Sequence, residues 1–128
     1  MNKKIIAICG LQGSGKDTTA DKLIEIANFK GLNVGKMAFA DRLKDTVAVL
    51  FDLPRDQLAG FTLESREWRE QPLPNWSQRL GRPTTPRNLL QQIGSELLRD
   101  QFHENIWIDC LMDSIEKSDK DLIVITDC

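Results

Sequence analysis

A layered α/β domain around a parallel sheet is the fold class this sequence predicts, and three observations predict it. Ile5-Ile6-Ala7-Ile8-Cys9 and Leu122-Ile123-Val124-Ile125-Thr126 are apolar, β-branched runs without polar alternation, the pattern of strands covered on both faces. A further short run at residues 34–40 reads as another strand. Helical patterns fill the intervals between the three, and strands joined through helices pair in parallel.

The elements follow in order. Residues 3–9 form the first strand, read as central in its sheet. Glycines 10–15 make a turn, and residues 16–30 a helix whose apolar face is Ala20, Leu23, Ile24 and Ala27. Gly31 stops it. After the second strand Asp41 caps a helix with Leu43, Val47, Leu50 and Phe51 inward, and Pro54 ends it. Residues 55–59 make one short turn closed by Gly60, and residues 62–70 are weakly helical and strongly charged. Residues 71–86 hold prolines 72, 74, 83 and 86 with Gly81 and read as a long loop. Thr85 as cap and Pro86 at the first helical position open the next helix, with Leu89, Leu90, Ile93, Leu97 and Leu98 as its stripe. Asn105 caps one more, with Ile106, Cys110, Leu111 and Ile115 inward, before the last strand.

Composition narrows the function. The chain has 128 residues, 41% apolar and 28% charged, with a formal charge of -2, which is ordinary for one globular domain. No global positive field is available to coat a nucleic-acid polymer, and no apolar run is long enough to span a bilayer. The apolar stretch at the start is too short for an export signal. Three widely spaced cysteines, Cys9, Cys110 and Cys128, do not make a disulfide framework, so they read as small buried thiols in a cytoplasmic chain.

The strongest motif is Gly10-Leu11-Gln12-Gly13-Ser14-Gly15-Lys16, a G-x-x-x-x-G-K run between a strand and a helix. Glycines allow successive N–H groups to point at one anion, and the helix start adds its positive end. The Lys16 ammonium follows charge on a moving phosphoryl group. Asp17 stands where a hydroxyl usually meets Mg²⁺, with Thr18 next. Gly10, Gly13, Ser14, Gly15, Lys16, Asp17 and Thr18 are therefore the expected ATP-binding residues, with Asp17, Thr18 and the strand-end Asp127 as expected Mg²⁺ residues.

For a phosphate acceptor the candidates are basic. Lys44 follows the second strand, where open parallel sheets place their ligand crevice, although a solvated helix charge is an equal reading. Arg66, Arg69, Arg79, Arg82 and Arg87 surround the proline-rich stretch, and arginine forks match phosphate. Glu64, Glu67 and Glu70 are available to pair with them along a surface helix. Gly94 interrupts a good helix, for a ligand or for a neighbouring helix. Trp107 is placed either to stack on a base or to cover the core edge. His103 has no metal-spaced partner.

Taken together, residues 13–21, 39–45, 64–67, 86–96 and 102–107 resemble the phage-type deoxynucleoside monophosphate kinases, which have the P-loop NTPase-type three-layer fold. The resemblance implies transfer of the ATP γ-phosphate to a deoxynucleoside 5′-monophosphate, with Mg²⁺, in the (host) cytoplasm. It implies that Gln12, Leu43, Lys44, Arg66, Arg87, Gly94 and Trp107 approach the acceptor, and that Lys16, Arg66 and Arg87 serve catalysis. It makes residues 1–128 one kinase domain with a substrate-binding insertion at about 55–86. Members of the family continue past the last strand into a basic lid and further strands, so the chain is expected to be incomplete there. A kinase of another small molecule, such as dephospho-coenzyme A, and a nucleotide-binding remnant without turnover are the rival readings. A homodimer stays open; a membrane or nucleic-acid partner is not expected.

Overall fold

The computed structural model describes residues 3–10 and 15–127. The chain divides into two compact units, one of residues 1–41 with 107–128 and one of residues 42–106.

The first unit holds β1 (Lys4–Ala7), α1 (Lys16–Phe29), β2 (Val34–Met37), most of α7 (Ile106–Lys117) and β3 (Leu122–Ile125). The sheet is parallel with order β1-β3-β2. Leu122 is in register with both Lys4 and Val34, and Ile125 with both Ala7 and Met37. β3 is thus the central strand, and Ile123, Val124 and Ile125 are buried on both its faces, as its unbroken apolar run predicts. Leu111 and Ile115 of α7 pack on Ile123 and Ile125, with Met37 and Phe39 beside them. Lys3 extends its ammonium to the Ile115 carbonyl and, at 2.7 Å, to that of Glu116. A cation there answers the negative end of α7. α1 buries Ala20 and Ala27, two members of its expected face.

β1 departs from expectation. It is an edge strand among the described residues, and Ile5 and Ile6 are 46% and 39% exposed. An apolar run shows that a strand can be covered, but its neighbours in the sheet are set by tertiary pairing. The cysteine reading also changes: Cys9 is exposed and disulfide-bonded, whereas Cys110 is a half-buried free thiol.

The second unit is helical: the rest of α2 (Asp41–Phe51), α3 (Arg55–Ala59), α4 (Leu63–Arg69), α5 (Pro74–Leu80), α6 (Pro86–Gln91) and a π-helical segment (Gln92–Arg99). Its core is Val47, Leu58, Leu89 and Leu90, with Leu43, Ala48, Phe51, Leu53, Trp68, Leu73 and Ile93 packed around them. Leu50, expected inward, is 62% exposed, because the buried arc of α2 centres on Val47, Ala48 and Phe51.

The expected long loop contains α5. Pro74 opens that helix and Gly81 closes it at φ 70°, the usual proline-first, glycine-last asymmetry. Trp76 of α5 meets Phe51 edge-on at 5.1 Å. The buried Thr84 ties the stretch down: its N–H binds the Ser77 hydroxyl and its carbonyl accepts from the Leu73 N–H. The helix after Pro86 is α-helical for six residues only and then widens into π turns. That shift breaks the 3.6-residue stripe, and Leu97 turns out at 49% exposure.

Candidate active site residues

The first unit carries the donor-side candidates. Gly15, at φ 87°, is the N-cap of α1 and has no side chain of its own to cap the first turn. The first N–H groups of a helix have no partner within it, so an uncapped turn suits an anion. Lys16 opens α1, and its ammonium reaches back 3.2 Å to the Gly10 carbonyl. The Thr19 N–H and hydroxyl both bind the Gly15 carbonyl, at 2.9 and 3.0 Å, which fixes the turn leading into the helix. Thr18 is exposed in that first turn. Gln12, Gly13, Ser14 and the Asp17 side chain lie outside the described residues.

Asp127 follows β3. Its two carboxylate oxygens accept from the Phe39 N–H at 2.6 Å and the Ala40 N–H at 3.0 Å. The carboxylate thereby joins the ends of two adjacent strands. Each oxygen keeps a second lone-pair site, so the donor set still suits a hydrated Mg²⁺. Trp107, in the first turn of α7, is half-buried.

In the second unit two of the acceptor-side candidates, Lys44 and Arg66, meet at one turn. α3 ends on Gly60 at φ 71°. Three consecutive carbonyls there accept from three cations: Leu58 from Arg69 Nη1 at 3.4 Å, Ala59 from Lys44 Nζ at 3.3 Å and Gly60 from Arg66 Nε at 3.0 Å. Carbonyls at a helix end attract cations. Lys44 is half-buried and lies three and four residues before Val47 and Ala48, so it shares their inward face. It sends its stem along apolar surface to reach the turn, which decides against a purely solvated charge.

Arg66 reaches its carbonyl from α4, whose start is fixed by a capping box between Thr62 and Ser65. Arg87, at the start of α6, pairs with Glu70 at 2.6 Å. The expected pairing of arginines with glutamates along one helix is therefore replaced here by a pair between elements. Arg79 lies over the Trp76 ring at 4.9 Å, a cation–π contact. Gly94 is explained by packing: a Cβ there would stand 2.6 Å from Leu43 Cδ2. Leu43 and Gly94, both expected to approach the acceptor, are thus brought into direct contact.

Arg69, one of the candidate arginines around the proline-rich stretch, lies against the same turn. Its guanidinium lies on Gly60, where a Cβ would fall 2.5 Å from its Cζ. Burial holds its pKa below the usual arginine value, Arg87 and Arg66 lower it further, and Glu70 opposes them. Its sequence signature was faint: an arginine three residues after Arg66, behind a helix-closing glycine.

No protein-family model matches the chain. Two curated proteins do match. Over 114 residues, 89% of this chain and 49% of the relative, it is 33% identical to the "Putative deoxynucleotide monophosphate kinase" of Acanthamoeba polyphaga mimivirus. It is a homologue of the viral deoxynucleotide monophosphate kinases. The second match, to the "Deoxynucleoside-5'-monophosphate kinase" of Escherichia phage T5, is 51% identical over 43 residues, or 34% of this chain and 17% of the phage protein. The chain spans about half the length of its mimivirus homologue. Among the described residues no helix is long and apolar enough to cross a membrane.

Proposed function

We propose that the protein uses ATP to phosphorylate deoxynucleoside 5′-monophosphates. The observation that carries this is the setting of Lys16: it ends a G-x-x-x-x-G-K run, opens α1 and turns its ammonium onto the Gly10 carbonyl at the start of the run. The names of the two homologues point the same way.

In this reading the N–H groups at the start of α1 and the Lys16 ammonium bind the donor's terminal phosphates. Lys16 stays with the phosphoryl group as negative charge shifts from the attacking to the leaving oxygen. Thr18, Asp17 and Asp127 supply oxygen ligands of the hard type that Mg²⁺ takes, directly or through water. When bound, Mg²⁺ would neutralise phosphate charge. Lys44, Arg66 and Arg87 bind the acceptor phosphate, and Leu43, Gly94, Gln12 and Trp107 border the nucleoside. No general base is needed, because the acceptor is a phosphate already ionised near neutral pH. Catalysis is positioning with charge stabilisation.

A coupled ADP-release assay over the deoxynucleoside monophosphates tests this, run on this chain and on the longest natural form of the protein. Lys16→Ala is expected to lower transfer by at least about 100-fold with the fold intact, as loss of a transition-state donor does. Arg66→Ala is expected to raise the acceptor KM more than the ATP KM. Turnover unchanged in Lys16→Ala, or ATP bound with no monophosphate phosphorylated by either form, refutes the proposal.

A further inference from the structure

The turn at Leu58–Gly60 gathers positive charge. Three cations end on three neutral carbonyls, and Arg87 stands close enough to lower the pKa of Arg69. Glu70, whose charge acts on Arg69 in the opposite sense, is bonded to Arg87. Among the described residues, the buried side-chain polar atoms without a partner are Arg69 Nε, on the side chain that covers this turn, and Gln57 Oε1, one residue before it. Arg66 spends only its Nε–H on Gly60, which leaves the planar pair of Nη groups that suits a phosphate dianion.

α3 cannot hold this geometry by itself. It has five residues, fewer than an isolated helix needs to persist. Two things fix it. Leu58 is fully buried in the core, and the Arg69 plane covers Gly60 so closely that no side chain fits between them.

We propose that Arg69 is a positioning residue for the acceptor: by lying on Gly60 and holding the Leu58 carbonyl, it shapes the turn that aims Arg66, without touching the acceptor itself. This rests on the kinase reading above and deepens it. An arginine is required because the contact is a flat one; a lysine keeps the charge but presents no plane.

The test is a double-mutant cycle read by calorimetry with a deoxynucleoside monophosphate and, separately, ATP. Arg69→Ala is expected to weaken monophosphate binding about tenfold, the scale of one charge-assisted contact, with ATP affinity unchanged. In an Arg66→Ala background the same replacement is expected to cost less than about twofold, because both act through one group. Monophosphate affinity unchanged in Arg69→Ala while Arg66→Ala weakens it overturns the proposal. A full, additive loss in the double variant overturns it too, by making Arg69 an independent ligand. Arg69→Lys serves if the alanine variant does not fold, with a loss of about threefold or more expected from the missing plane; full rescue by lysine counts against the proposal. A second readout needs no nucleotide: the Arg66 Nε–H signal in ¹⁵N NMR should lose its exchange protection in Arg69→Ala while the core amides keep theirs. Retained protection refutes the positioning role. If the wild-type chain shows no affinity for any monophosphate, the kinase reading falls, and the NMR result still decides whether Arg69 holds Arg66.

Discussion

Gly94 shows how a single missing methyl group can be a tertiary requirement. It is buried in the π-helical segment with Leu43 Cδ2 in the space a Cβ would take. Gly94→Ala should therefore destabilise the protein by roughly 1–3 kcal/mol, the usual range for overpacking, as read by urea denaturation. Trimming the neighbour in a Leu43→Ala background should remove most of that effect; an equal penalty in both backgrounds would mean that Leu43 is not the obstacle. The sequence marked Gly94 as unusual but could not say what approaches it, since the partner lies half the chain away. Lys44 was legible in part: its place after the second strand made it a candidate, and the packing of Val47 and Ala48 adds that it shares their inward face. Arg69 was legible only as one of five arginines around the proline-rich stretch, because its contact with Gly60, nine residues earlier, follows no local pattern.

At the scale of elements, local chemistry was the better guide. Thr85 caps α6 through the Asn88 N–H, and the Asn88 side chain returns a bond to the Thr85 N–H, as the Thr-Pro start implies. Thr85→Ala should lower stability by about 1 kcal/mol, measured by thermal or chemical unfolding; a change under about 0.3 kcal/mol would show that the cap contributes nothing net. The same kind of signal stood unused at Pro74 and Gly81, where abundant prolines suggested a loop while position made one proline a helix start. The π segment had no such marker. Its sequence continues a good α-helical pattern, and only packing against Leu43 and the core shows where the turns widen.

At the scale of the molecule, the strand–helix–strand order correctly implied a parallel sheet, and the unbroken run at 122–125 correctly implied a central strand. Strand order itself was beyond the sequence, which offered two equally apolar runs and no means to rank them. Since β1 and β2 each pair only with β3 in the described sheet, Ile123→Ala should loosen both. The expected cost is roughly 2–5 kcal/mol for a buried large-to-small change. Hydrogen exchange should show β1 and β2 amides losing protection together, and β1 retaining full protection while β2 loses it would contradict this pairing.

That arrangement also has a consequence for how the chain is made. The helical unit is one uninterrupted stretch, whereas the sheet unit is written in two pieces on either side of it. A ribosome therefore releases every residue of the helical part before the strand that joins the sheet exists. Until β3 emerges, β1 and β2 wait as two unzipped ribbons, and long-range parallel closure is a slow step in folding. Newly made chains are thus exposed to sticking together in the interval before β3 arrives.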